Sequence, residues 1–438
     1  MTPSSLRALP MGVLTVGAVG VLMSYADVAY RLRGALPVGS TNLFLGTLAC
    51  LTVGTLIRAG LSASIRTRVA ALYAAHISVI LPLIGIAWFS FISGLLPTAN
   101  WAEGGHWALL PVYDVMTVLL SMLLAFESAR RGYLRAGLLA AFALLLASIA
   151  VDVVHPGTFS NVEFRAAGFA VNANGAAFIL VFLACTIIRF DRVRLLDLCV
   201  LLLTAVGVFA TLSRGGTLLF SFMLLGYCYC SVRRARGGVL RSVGRLVAIC
   251  AAVAVAFFAI GRLMQRATLF TLQSDRLEIF RGRKEALKSS DSRFTAFDEW
   301  WRHVEEAPFL GYGSGYTYDD LGGMREGPHN MYLQQWVNSG LGGVVCYVWL
   351  LVASARLFWR RRDGAGLVFM GLVLIEGVVS HNLLDERAFL LPFGVLLTVS
   401  YYRSAESRLT SSRPAVAPAS LSPRLALRSD RGERYRST

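Results

Sequence analysis

His329 and a small set of arginines are the residues of this chain best suited to chemistry. His329 stands in GPHNMYLQQW, with Pro328 before it and Asn330 opening an apolar run. At a helix N-terminus the dipole favours the neutral ring, and a neutral imidazole can accept a proton from a hydroxyl. Arg214 stands in TLSRGGTLLF, between two apolar runs with almost no loop. Its planar fork needs an anion there, either phosphate oxygens or a carboxylate such as Asp385. Gly215 and Gly216 beside it allow close backbone approach. Arg165, in EFRAAGFAVNANGAAF, opens another apolar run that carries Asn172 and Asn174, and Arg293 opens an amphipathic stretch. Together they describe a proton acceptor among cations that hold an anionic substrate. Each also has a plainer reading: a hydrated interfacial histidine, an arginine paired with an acid, a cap-region charge, a surface charge.

Other candidates are weaker. SHNLLDER at 380–387 holds His381, Asn382, Asp385, Glu386 and Arg387, and His381 reads more readily as a satisfied polar residue than as a base. No Ser–His–Asp order can be assigned. Asp319 and Asp320 are the nearest approach to paired carboxylates but lie in a loop, and no tight His/Asp/Glu cluster suggests a metal, so none is expected. GYGSGY at 311–316 reads as a flexible turn; it departs from the dinucleotide fingerprint and follows no strand, so no cofactor is expected either.

The elements that must position these residues are membrane helices. Of 438 residues 55% are hydrophobic, mean hydropathy is +0.59, and continuous apolar runs long enough to span a bilayer recur along the chain. The expected architecture is all-α and polytopic, with twelve spans at 10–30, 38–57, 69–94, 108–128, 136–154, 167–188, 195–212, 215–231, 243–261, 330–355, 364–382 and 388–402. Spans one to nine fall in residues 1–261 and spans ten to twelve in 330–402. The net charge of +16 orients these helices and does not indicate nucleic acid. Arg58, Arg66 and Arg68, then Arg130, Arg131 and Arg135, then Arg189, Arg192 and Arg194, then arginines in 233–245 and 356–362 make every alternate short loop basic. Both termini are therefore expected in the cytoplasm, with the first helix a retained signal anchor and 403–438 a disordered basic tail drawn to anionic lipid. The seven cysteines lie in apolar runs, which excludes a disulfide framework.

Residues 262–329 then form one long outward loop. Its charges are sorted: eight basic against four acidic residues in 262–293, two against seven in 294–329. The basic half can cradle an anion, and the acidic half can lie over a substrate as a lid. Asp291 or Ser292 is expected to cap a helix in which Phe294, Phe297, Trp300, Trp301 and Val304 share one face against the membrane or the bundle. Pro308 should end it.

Taken in order, R-x-x-G-x-x-x-N-x-N from Arg165 to Asn174, SRGG at 213–216, the loop from Arg293 through Trp300, Pro308 and GYGSG to HNMYLQ, and NSGLGG at 338–343 make the chain resemble the O-antigen ligase and polymerase superfamily of bacterial envelope membrane proteins. The resemblance covers about residues 160–400. It implies a GT-C-type, metal-independent, inverting glycosyltransferase of the inner membrane whose active site faces the periplasm. The donor would be a glycan on undecaprenyl pyrophosphate, and for a ligase the acceptor a sugar hydroxyl of lipid A–core. The family histidine falls on His329 and the pyrophosphate-binding arginines on Arg214, Arg293 and Arg165, with Asn330, Asn174, Gly215, His381 and Asp385 in support. An O-antigen polymerase, a protein O-oligosaccharyltransferase and, from another class, a lipid-linked glycan transporter stay open. A transporter would set its charges near the membrane midplane rather than at one face.

Overall fold

The computed structural model describes residues 3–36, 38–95, 109–161, 165–191, 193–233, 244, 285–317, 327–380 and 383–411. Among these, helices and one 3-10 turn account for all regular structure. Among the described residues five helices are long and apolar enough to cross a membrane, six if one bent pair is a single span, and four shorter apolar helices accompany them. This is a multi-pass membrane protein. The expected span at 243–261 lies, apart from Gly244, outside the described residues, as do 262–284, Asp319, Asp320, His381, Asn382 and 412–438.

The expected spans 10–30 and 69–94 are each broken at a polar group that had to be satisfied. The run 10–30 is α1 (Pro3–Met23) and α2 (Ala26–Leu32), bent by 54° with Tyr25 in the left-handed region. The Tyr25 hydroxyl donates to Glu386, and the next residue, Arg387, grips Asp27 through both nitrogens of its fork, at 2.9 and 2.6 Å. Arg387 and Asp27 are both buried. Such a pair is tolerated because each charge is fully met, and loss of either partner would strand the other. The run 69–94 is likewise divided between α4 (Ala63–Ala74) and α5 (Ile77–Gly94), which follow α3 (Ser40–Leu61). Between them sits His76, buried, with Nδ1 2.7 Å from the Leu72 carbonyl and Nε2 2.8 Å from Arg361.

α6 (Leu110–Leu124) and α7 (Ser128–Val154) come next, and α7 packs along α1. A tight group follows: α8 (Ala173–Ile187), α9 (Leu195–Thr211), α10 (Arg214–Arg233), and later α13 (Gly364–Val379). α8 is buried on nearly every side beyond its first turn, which its mostly apolar sequence requires. α11 (Glu285–Glu306) is the amphipathic helix, α12 (Met331–Arg360) packs on α5, and α14 (Arg387–Ser411) closes the order. The described residues 402–411 belong to a second unit.

At one end of the bundle Arg58 pairs with Glu127 and Arg135 lies 3.7 Å from the buried Asp197, as well as the Arg361–His76 contact above. These arginines come from three of the loops expected on the cytoplasmic side.

Candidate functional site

The starts of α8 and α10 and the end of α9 converge on Arg165. Asn172 caps α8, its side-chain oxygen accepting from the N–H groups of Asn174 at 2.8 Å and Gly175 at 3.4 Å. α9 stops at Thr211, where Leu212 turns left-handed, and the Ser213 hydroxyl accepts from Gly216 N–H at 3.1 Å at the head of α10. Any side chain at Gly216 would overlap the Ala177 methyl, so the two helix starts touch. Arg165 ties the end of α9 to the start of α8: Nε donates to the Thr211 carbonyl at 3.2 Å and Nη2 to Asn174 Oδ1 at 2.7 Å. Arg214, exposed, is the first residue of α10, and Gly215 beside it has open space around its Cα. Two helix N-termini, a fixed guanidinium and a second arginine make a positive corner.

Sequence placed Arg165 at the mouth of a span from 167, with both asparagines further along it. The helix instead begins at Ala173, six residues later, with Asn172 as its cap and Asn174 in its first turn. The delay comes from Gly168 and Val171, both at positive φ, and from a buried acid that sequence reading passed over. Asp152, near the end of α7, accepts from Phe159 N–H at 2.7 Å, Ala167 N–H at 3.0 Å and Gly168 N–H at 2.7 Å. Ser148, one turn earlier, accepts from Phe169 N–H at 3.0 Å. The loop that carries Arg165 is thus tied to α7 by a carboxylate that offers both oxygens. Asp152→Asn leaves one oxygen and turns an NH2 group towards N–H donors. It should lower stability by about 1–3 kcal/mol, seen as earlier thermal unfolding of the purified protein in detergent. Unfolding at the wild-type temperature would show that the charge does not hold this loop.

His329 sits directly before α12. Its φ of 45° is left-handed, an uncommon and strained conformation for a residue with a Cβ. Pro328 before it is buried, and Asn330 after it caps α12 by accepting from Leu333 N–H at 3.0 Å. The expectation of a histidine at a helix mouth therefore holds, with Asn330 as the cap. α12 then breaks at Gly340, whose φ is 61°. A Cβ there would overlap the Phe309 carbonyl, so only glycine fits. The break leaves backbone groups of α12 unpaired, and the 308–313 turn takes them up: Tyr312 N–H donates to the Val337 carbonyl at 2.8 Å, Gly313 N–H to Asn338 at 2.9 Å, and Leu341 N–H to Pro308 at 3.0 Å. The glycine-rich turn read as flexible is pinned to α12.

α11 holds the other side of this arrangement. Ala296, Trp300 and Val304 bury against Leu333 and Val337, with Tyr312, Tyr316 and Trp336 around them. Trp336 Nε1 donates to the Pro308 carbonyl at 2.9 Å, and Tyr312 donates to Glu306 at 2.7 Å. Burial and then the Glu306 carboxylate hold the Tyr312 phenol above the usual tyrosine range, so it stays a donor. Pro308 ends the helix as expected. Its start does not match: α11 begins at Glu285, so Asp291 and Ser292 lie inside it, because Glu285, Ala286, Leu287 and Lys288 are good helix formers. Nor do all the named aromatics share the buried face, since Phe297 and Trp301 are 37% and 38% exposed against 2% for Trp300.

The arginine corner and His329 lie at one end of the bundle, through α13. Along α10 and α13 the close approaches are Cys230 to Gly364, Gly226 to Val368 and Phe222 to Gly371, an antiparallel register that brings Arg214 level with the end of α13. Gly377, at that same end, touches Met331 and Tyr332 at the start of α12. The loop after α13 carries Asp385, whose side chain is hydrogen-bonded to Asp114 of α6. Sequence reading had not singled out Asp114. Arg293 is placed by its backbone alone, on α11, and His381 lies outside the described residues.

No curated protein matches the chain. A family model described as O-Antigen ligase (Wzy_C) matches residues 199–348, a range that starts in α9, takes in SRGG and HNMYLQ, and ends within α12. The match falls inside the stretch of about 160–400 that carries the motif resemblance.

Proposed function

We propose that this protein is an O-antigen ligase. It moves a glycan from undecaprenyl pyrophosphate to a sugar hydroxyl of lipid A–core, at the periplasmic face of the bacterial inner membrane. In this reading the chain has twelve spans in a GT-C arrangement, both termini in the cytoplasm and residues 262–329 in the periplasm. The observation that carries it is Arg165, held between Asn174 and the Thr211 carbonyl, the latter close to Arg214 in the stretch that matches the ligase family. Arg214, Arg293 and Arg165 hold the pyrophosphate and meet the charge it gains on leaving. His329 takes the proton of the acceptor hydroxyl as the anomeric carbon is attacked, so the C–O bond to the acceptor forms while that to pyrophosphate breaks. Asn330, Asn174, Gly215, His381 and Asp385 support these groups.

The test is transfer by the purified protein from polymer-bearing undecaprenyl pyrophosphate to lipid A–core, with EDTA present. Product should form at the metal-replete rate. Loss of product that added Mg²⁺ restores would overturn the metal-free mechanism. In cells, a deletion strain should make rough lipopolysaccharide while carrier-linked polymer accumulates; single carrier-linked units in its place would mean a polymerase. A phosphatase fused within 262–329 should be active, and one fused after residue 438 inactive.

A further inference from the structure

Beyond Arg293, α11 carries a row of residues that the mechanism above leaves unused. Arg293, Phe297, Trp301 and Glu305 follow one another at steps of four, and so lie along one side of the helix. The Phe297 and Trp301 rings are nearly parallel, 14° apart in plane and 6.1 Å between centroids. Both are more than a third exposed. They are also held in place. Trp301 meets Trp336 of α12 edge to face at 5.6 Å, and its indole N–H donates to Glu305 at 3.0 Å. Flat aromatic faces with a carboxylate acceptor at the end of the row match a sugar, which presents C–H groups from one face of its ring and hydroxyls from its rim.

We propose that Phe297, Trp301 and Glu305 form a subsite for sugar residues of the donor glycan. The inference rests on the proposed role of Arg293 in holding the pyrophosphate. From Arg293, each step of four residues advances about 6 Å along the helix, so a glycan leaving the pyrophosphate meets Phe297 and then Trp301. A lipid surface is the other occupant that exposed tryptophans could serve. The charge of α11 argues against it: six acidic residues stand against three basic ones, whereas helices that lie on anionic leaflets are rich in lysine and arginine.

Two measurements on the full-length protein test this. The first compares undecaprenyl pyrophosphate carrying one N-acetylglucosamine with the same carrier bearing polymer. Trp301→Leu and Phe297→Leu should raise KM for the polymer donor about three- to tenfold, with kcat and the single-sugar donor unchanged. Trp301→Phe, which keeps a ring, should stay near wild type. An unchanged polymer KM, or an equal loss on both donors, would overturn the subsite. The second measurement is the Trp301 fluorescence in nanodiscs, taken as wild type minus Trp301→Phe. Free polymer glycan should shield it from acrylamide, and brominated acyl chains should leave it bright. Quenching by brominated lipid with no shielding by glycan would assign the row to the membrane. This second measurement needs no transfer, so it judges the subsite even if the wild type transfers nothing, an outcome that would instead sink the ligase reading.

Discussion

Transfer by His329→Ala should fall by about 10²–10⁴-fold, the usual contribution of a general base, while the donor still binds. A sugar hydroxyl is a poor nucleophile, and the ring that would take its proton stands at the mouth of α12. Its backbone is held at a φ of 45° between the buried Pro328 and the cap Asn330. That constraint aims one side chain, so a residue that only fills the space should not replace it. His329→Gln is the stricter variant: its amide can hydrogen-bond but cannot accept a proton at working pH. Single-turnover rates from pH 5.5 to 8.5 decide the role. The wild-type rate should drop on the acid side, because a protonated imidazole has no lone pair to offer, and the glutamine variant should be slow at every pH. If glutamine kept a near-wild-type rate with the same acid limb, His329 would position the acceptor only, and the hydrogen-bonded pair Asp114–Asp385 would become the next base to examine.

Arg214→Ala should abolish measurable transfer at donor concentrations that saturate the wild type. Arg214 opens α10, so in the proposed mechanism the helix dipole and the guanidinium would act on the same anion, and Arg165 is fixed on the adjoining turn. Charge-assisted hydrogen bonds of this kind contribute about 1.5–3 kcal/mol each, or roughly ten- to a hundredfold per bond. Loss of a bidentate contact removes two. Arg214→Lys should restore transfer in part only, since a point charge cannot make the parallel pair. The measurement is donor KM and kcat for both variants, with thermal unfolding at the wild-type temperature as the check on folding. Near-normal transfer by the alanine variant would make Arg214 a structural residue. The single change Arg165→Ala should be intermediate in rate but also destabilising, because it releases Asn174 and the Thr211 carbonyl together.

Much of the site was legible before any coordinates, for an identifiable reason. An arginine between two apolar runs, and a histidine after proline at the head of a third, are visible because membrane composition is so uniform that an ionisable residue stands out. Arg214 and His329 do begin or immediately precede helices. Arg165 was visible too, but its setting was misjudged. Hydropathy extended the helix back to 167, since Ala166, Ala167, Phe169 and Ala170 look like membrane residues. Backbone geometry at Gly168 and Val171, tied down by Asp152, makes them a loop. Asp152 was invisible because a single acid near the end of an apolar run has the same appearance whether it meets water or three backbone N–H groups.

The sequence by itself determined that this is a multi-pass helical membrane protein, which end of several helices carries charge, and the ligase-family motifs, because each depends on composition and order along the chain. Tertiary structure alone decided where the apolar runs break: at Tyr25, at His76 and at Gly340 the deciding partners are Glu386, Arg361 and Phe309. The first two stand hundreds of residues from the break they serve, and the third turns back onto α12 from the loop before it. It also decided that Trp300 would be buried while Trp301 and Phe297 stay exposed. A period of 3.6 says which residues share a face, but only the docking of α11 on α12 says which face is covered.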